Sequence, residues 1–198
     1  MITVAIEGVD GVGKETQAEI LTARLEADGY KVHKESFPRY DTPIGKIIKE
    51  MLQQEHTSDV LLHTLLEADR LQFMEVKQNI DADVLIYDRF TLSNLAYAVA
   101  KNVDRTLIEQ LQTHVEPPDV NIVLYIKPEE AMRRRAMRGE VLDIHEKDTK
   151  LMTSVGYIYN ALCNYYDNAV GVDASKDVRT IADSIYDIVI RKVGEKGE

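Results

Sequence analysis

Gly8-Val9-Asp10-Gly11-Val12-Gly13-Lys14 decides the fold. It follows the apolar run Ile2 to Ile6 and precedes a helical pattern with Ile20, Leu21 and Leu25 on one face. The spacing G-x-x-x-x-G-K between a strand and a helix is that of a phosphate-binding loop. Gly8, Gly11 and Gly13 allow sharp backbone turns. Backbone N–H groups around Val12 and Gly13 then point at phosphate oxygens, and the helix N-terminus adds partial positive charge. Lys14 reaches the same oxygens as a mobile point charge. The bland alternative is a glycine-rich turn with an exposed lysine; the strand-loop-helix context argues against it. One position departs from the pattern. A Ser or Thr that binds magnesium is expected after the lysine, and Glu15 stands there. Thr16 comes next, turned by about 100° around the helix.

Outward from this loop, apolar runs alternate with helical patterns, which signals βαβ units and a mostly parallel sheet. Strands are expected at Thr3 to Glu7, Lys31 to Ser36, Asp83 to Asp88, Val120 to Ile126 and Val170 to Asp173. Pro38 and Pro43 deny helix to the loop after the second strand, and Pro43 suits the first turn of a helix running to about Gln54. Ser58 caps a long helix reaching about Asn79. Further helices are expected at Thr91 to Lys101, from Asp104 to Val115, in a short Arg-rich segment opened by Pro128, from about Glu146 to Asp167, and from Val178 to Val193. Five strands with helices between them make a doubly wound sheet, whose ligands sit at the C-terminal strand ends.

The bulk numbers narrow the function class. The chain has 198 residues, 44% hydrophobic and 29% charged, as expected of one soluble globular domain spanning 1–198. A net charge of −10 argues against a general nucleic-acid binder. The single cysteine, Cys163, excludes an intrachain disulfide and suits a reducing cytoplasm. No secretory signal and no membrane-spanning run stand out. The five histidines are scattered without metal-ligand spacing.

Four features fall at the expected strand ends. The phosphate loop follows the first strand, Arg39 and Tyr40 the second, Asp88-Arg89 the third, and Arg133-Arg134-Arg135 with Arg138 the fourth. Several cationic clusters aimed at one crevice imply several phosphates bound together. A phosphoryl transferase needs this, because donor and acceptor both carry phosphate. Asp88 ends an apolar strand, where a carboxylate can hold magnesium or its water or cap the next helix. Arg134 and Arg138 share a helix face, either as a solvated surface or as part of a lid over about residues 133–146.

Taken in order, these residues resemble the thymidylate kinase family over nearly the whole chain. Glu7-Gly8-Val9-Asp10-Gly11-Val12-Gly13-Lys14 is similar to that family's phosphate loop, in which the Asp faces the acceptor nucleotide. Phe37-Pro38-Arg39-Tyr40 looks like its loop after strand 2, and Ala68-Asp69-Arg70 like the helix segment whose Arg contacts thymine. Asp88-Arg89-Phe90 matches the motif whose Arg binds the acceptor phosphate. Ser93-Asn94-Leu95-Ala96-Tyr97 resembles the segment that places Asn on the base and Tyr against the deoxyribose. Arg138-Gly139-Glu140 with Asp143 to Glu146 is similar to a bacterial-type lid, and Ala174 with Ser175 looks like the loop near the donor adenine.

The resemblance implies a three-layer α/β P-loop nucleoside-monophosphate-kinase-like fold with a five-stranded parallel sheet. It implies transfer of phosphoryl from ATP to dTMP with Mg2+, in a cytoplasmic homodimer without nucleic-acid or membrane partners. Lys14, Arg89, Arg138 and Arg134 would be catalytic. Gly8, Gly11, Val12, Gly13, Lys14, Thr16, Ala174 and Ser175 would bind ATP. Asp10, Phe37, Pro38, Arg39, Tyr40, Leu66, Arg70, Arg89, Asn94 and Tyr97 would bind the acceptor. Asp88 would hold the metal, with Glu15 beside it. Leu66 stands where the family usually stacks a Phe on thymine, which leaves open a kinase for another deoxynucleoside monophosphate. Glu15 leaves open a nucleotide-binding protein with impaired catalysis.

Overall fold

A computed structural model describes residues 1–54, 57–138 and 149–197, without the side chains of 132, 135–138 and 197. The Gly139 to Glu146 part of the expected lid lies outside the described residues, as does the side chain of Arg138. The elements run β1 (Ile2–Gly8), α1 (Lys14–Ala27), β2 (Val32–Ser36), α2 (Pro43–Leu52), α3 (Asp59–Lys77), β3 (Val84–Asp88), α4 (Thr91–Ala100), α5 (Arg105–Gln112), β4 (Val120–Tyr125), α6 (Pro128–Arg138), α7 (Thr149–Tyr165), β5 (Ala169–Asp173) and α8 (Val178–Gly197). All five strands pair in parallel, in the order β2-β3-β1-β4-β5. This is the three-layer α/β architecture expected from the sequence.

The strand order explains where a ligand can sit. From β1 the chain crosses to β2 on one side; from β3 it crosses back to β4 on the other. α1 and α8 pack on each other over one face, while α4 and α7 pack together over the opposite face. The loops after β1 and β3 therefore diverge, and a crevice opens between the two strand ends. The register sets Ile6 beside Asp88, so the phosphate loop and the Asp88-Arg89 turn leave the sheet side by side.

Burial follows the binary pattern. Every residue of β1 and four of the five in β3 are buried, as continuous apolar strands covered on both faces require. Val4, Ile6, Val84 and Ile86 join Leu21 and Leu25 of α1 and Ile185 and Val189 of α8 in the main core. A smaller aromatic core holds Phe37, Phe73, Tyr87 and Phe90, with Tyr87 stacked on Phe90 at 4.2 Å.

Local chemistry starts the helices where the sequence signals them. Ser58 accepts a hydrogen bond from the Leu61 N–H, and Asp104 one from the Thr106 N–H. Thr42 accepts from the Gly45 N–H ahead of Pro43 at the first helical position. Helix ends are less predictable: α5 stops at Gln112 rather than Val115, and α8 runs to Gly197 rather than Val193. No strong stop residue marks the end of α5, and α8 continues through Gly194, where the sequence suggests a stop.

Candidate active site

The phosphate loop has the backbone its glycines permit. Gly8, Gly11 and Gly13 have φ of 141°, 81° and 102°, values side chains rarely adopt. A Cβ on Gly8 would meet the Leu124 carbonyl of β4 at 2.5 Å, so β4 itself requires glycine there. Lys14 begins α1, is buried, and donates from Nζ to the Val9 carbonyl at 2.9 Å, 3.7 Å from Asp10 Oδ1. Glu15 lies exposed in the first turn of α1, and Thr16 beside it is half-buried. On the far side, Gln17 donates to the Val178 carbonyl at 3.1 Å and so ties α1 to the start of α8, four residues after Ala174.

Asp88 ends β3, half-buried. Burial raises its carboxyl above the ordinary range, Lys14 opposes this, and Glu15 adds to it. Lys14 and Glu15 thus both bear on Asp88 at the start of the crevice. Among the described residues no group of three or more His, Cys, Asp or Glu side chains is placed to hold a metal. Two oxygen donors at the mouth of a phosphate loop suit a hard ion that keeps most of its ligands as water and phosphate.

Arg89 follows with φ 63°, its N–H bonded to the Ile6 carbonyl at 3.0 Å. Its guanidinium pairs with Asp10, whose second oxygen accepts from the Tyr97 hydroxyl at 2.8 Å. A cavity of about 380 Å³ opens from this triad. Phe37, Pro38, Tyr40 and Leu66 line it, with Arg70 and Asn94 in its wall.

The remaining expected site residues divide by geometry. Arg39 is buried and does not line the cavity. Its backbone N–H donates to Asp69 Oδ2 at 2.9 Å and its Nε to Asp69 Oδ1 at 3.1 Å. Nη2 donates to the Asp69 carbonyl and to Gln72, each at 3.0 Å. Here the guanidinium anchors the loop 37–40 to α3 and does not reach toward a phosphate. Arg70 donates to the Leu66 and Phe90 carbonyls, and its Nε finds no partner among the described residues. Arg134 and Arg133 both hold Glu130 in α6, drawing its carboxyl down to about 2.

Asn94 is also occupied. Its Nδ2 donates to the His63 carbonyl at 2.9 Å and to Glu67 Oε1 at 2.7 Å. With the amide oriented by those two acceptors, Oδ1 must accept from His63 Nδ1, 2.6 Å away. His63 thus carries a proton on Nδ1, and burial lowers its pKa to about 4, so near neutral pH that proton is its only one. His63 borders the cavity, and its bare Nε2 has no partner among the described residues.

His63, Glu67 and Glu7 are the residues that sequence reasoning missed. The available signal for the first two was position: His63, Leu66, Glu67 and Arg70 fall on one face of α3. Glu7 offered the one charge inside a largely apolar strand.

The family model described as thymidylate kinase matches residues 6–185. A probable thymidylate kinase of Methanosphaera stadtmanae is 33% identical over 95% of this chain and 97% of that protein. The thymidylate kinase of Mycobacterium tuberculosis is 33% identical over 80% of this chain and 84% of its own. The solved thymidylate kinase of Candida albicans shares the fold, with a TM-score of 0.79 over 97% of this chain and 93% of that one at 24% identity. The glycine turns, the Asp88-Arg89 turn beside them and the near-complete alignments lead to one conclusion: this chain belongs to the thymidylate kinase family.

Proposed function

We propose that the chain transfers the γ-phosphoryl group of ATP to dTMP, giving dTDP and ADP. The observation that carries the reading is the cavity that starts at the Asp10–Arg89–Tyr97 triad and runs to Arg70 and Leu66. It is large enough for one mononucleotide and is entered at the phosphate loop. An oxygen of the acceptor phosphate attacks the γ-phosphorus, and the bond to the β-phosphate oxygen breaks as ADP leaves. The acceptor phosphate is already an anion near neutral pH, so no general base is required.

Each end of the crevice then has a task. Lys14 and the amides of Gly8 to Gly13 hold the donor phosphates, with Thr16 beside them and Ala174 and Ser175 near the adenine. Arg89, released from Asp10, takes the acceptor phosphate, and Tyr97 closes the space a 2′-hydroxyl would need. Leu66 and Phe37 form the apolar walls for the base, and Arg70 meets its edge. Asn94, its amide committed to His63 and Glu67, shapes the base pocket from behind. Arg39 acts through the loop it anchors, and Tyr40 lines the acceptor side. Mg2+ would be held by Asp88, with Glu15 near, and would neutralise charge between the β- and γ-phosphates. Arg134 and Arg138 are the candidates to cover the transferring group, which requires Arg134 to leave Glu130.

No helix among the described residues is long and apolar enough to cross a membrane, and a cytoplasmic setting fits the single cysteine. Exposed Ile47, Val60, Leu61 and Val76 on α2 and α3 support a homodimer through those helices. The test is ADP formation from ATP and Mg2+ with dTMP, dUMP, dCMP and dGMP as acceptors. Clear preference for a non-pyrimidine rejects dTMP, and absence of transfer with all four rejects catalysis.

A further inference from the structure

Glu7 is fully buried near the end of β1, one residue before the phosphate loop begins. Burial pushes its carboxyl up, against the pull of Ser93, Arg70, Arg89 and the Phe90 N–H. An apolar side chain would fill this space without the cost of desolvating a carboxyl. What Glu7 adds is acceptors. Its Oε1 accepts the Phe90 backbone N–H at 2.9 Å. Its Oε2 accepts the Ser93 hydroxyl, and the Tyr159 hydroxyl lies 3.4 Å from the same oxygen. Ser93 Oγ and Tyr159 Oη are 2.8 Å apart, closing the group. The donors come from the start of α4 and from the middle of α7.

The Phe90 N–H belongs to the peptide unit that follows Arg89. The Arg89 N–H, in the preceding unit, is held by the Ile6 carbonyl at 3.0 Å. Consecutive residues of β1 thus grip the backbone on both sides of Arg89, which stands at φ 63°. That conformation is disfavoured for a side chain such as arginine and persists only where the surroundings impose it.

We propose that Glu7 is a positioning residue: it holds Arg89 in its left-handed turn and thereby aims the guanidinium at the acceptor phosphate, while Ser93 and Tyr159 fix the carboxyl that does so. The inference rests on the reading of Arg89 as the acceptor-phosphate ligand. It goes beyond that reading by making acceptor binding depend on a residue that touches neither nucleotide.

The test is steady-state kinetics with dTMP and ATP varied separately. Glu7→Gln keeps the shape but replaces one acceptor oxygen with a donor. It should lower kcat/KM for dTMP by about tenfold or more, with KM for ATP held within about twofold. Tyr159→Phe should shift the dTMP values in the same direction and by less. Placed in an Arg89→Lys background, Glu7→Gln should add less than about twofold, because both changes act on one contact. A Glu7→Gln protein that melts earlier but keeps its dTMP kinetics overturns the proposal, as does an equal loss toward ATP. Should Glu7→Gln not fold, Ser93→Ala and Tyr159→Phe decide: unchanged dTMP kinetics in both overturn it. Unaltered dTMP kinetics in Arg89→Lys alone would overturn the role of Arg89 and this inference with it. Wild-type protein that fails to phosphorylate dTMP would remove the reading on which both stand.

Discussion

His63 shows how one buried side chain sets the behaviour of its neighbours. The unfolded chain protonates a histidine near pH 6.5, whereas the folded protein resists protonation at His63 until about pH 4. Between those values the unfolded state holds the extra proton, so stability is complete above pH 6.5 and falls as the pH drops. The full effect, reached below pH 4, is about 3 kcal/mol. Urea unfolding at pH 7 and pH 5 should therefore show a steeper loss for wild type than for His63→Gln; parallel losses would mean that His63 titrates normally. Arg39 and Asp69 form the second residue-scale unit. Asp69→Ala leaves the buried guanidinium uncompensated, and we expect a loss of about 3–5 kcal/mol. Adding Arg39→Ala to it should cost little more, because the pair is one interaction.

At the scale of elements, the start of α2 fits tightly against the loop 37–40 that borders the cavity. A Cβ on Gly45 would lie 1.8 Å from the Arg39 carbonyl, and that carbonyl already accepts from the Thr42 N–H and hydroxyl. Gly45→Ala must push α2 away from the loop 37–40. It should raise the KM for dTMP and lower the melting temperature; an unchanged KM would show that the loop does not shape the acceptor site. In the sheet, Ile86 is fully buried between helices, and Ile86→Ala should cost about 2–5 kcal/mol in chemical denaturation.

The elements were legible because each is announced locally. Pro43, Ser58 and Asp104 start their helices by chemistry confined to one turn. The P-loop and the Arg89 turn could be placed at strand ends from the alternation of strands and helices, whereas Leu66, Arg70, Asn94 and Tyr97, inside α3 and α4, were assigned only through the family resemblance. The hydrogen-bond partners could not. Arg39 finds Asp69 thirty residues away, Asn94 finds His63 at thirty-one, and Ser93 finds Tyr159 at sixty-six. Sequence identifies which side chains carry charge at the crevice, but it does not say which of them are already spent on one another.

Over the whole molecule, the strand order does the organising. It lays the loop after β1 beside the turn after β3, so one crevice holds Lys14 and Arg89, which we propose as its donor and acceptor ends. Lys14→Ala should reduce phosphoryl transfer by on the order of 100-fold or more while leaving dTMP binding, measured by calorimetry, within a few-fold. A variant that keeps its rate would remove the phosphate loop from the chemistry. Leu66 bears on the opposite end, since an aliphatic wall offers burial without the ring stacking an aromatic would give. The acceptor panel tests both ends together. With ATP and Mg2+ present, dTMP should give the highest kcat/KM among dTMP, dUMP, dCMP and dGMP. Higher kcat/KM for dGMP, or no ADP above background with any acceptor, would contradict the two-nucleotide crevice as described.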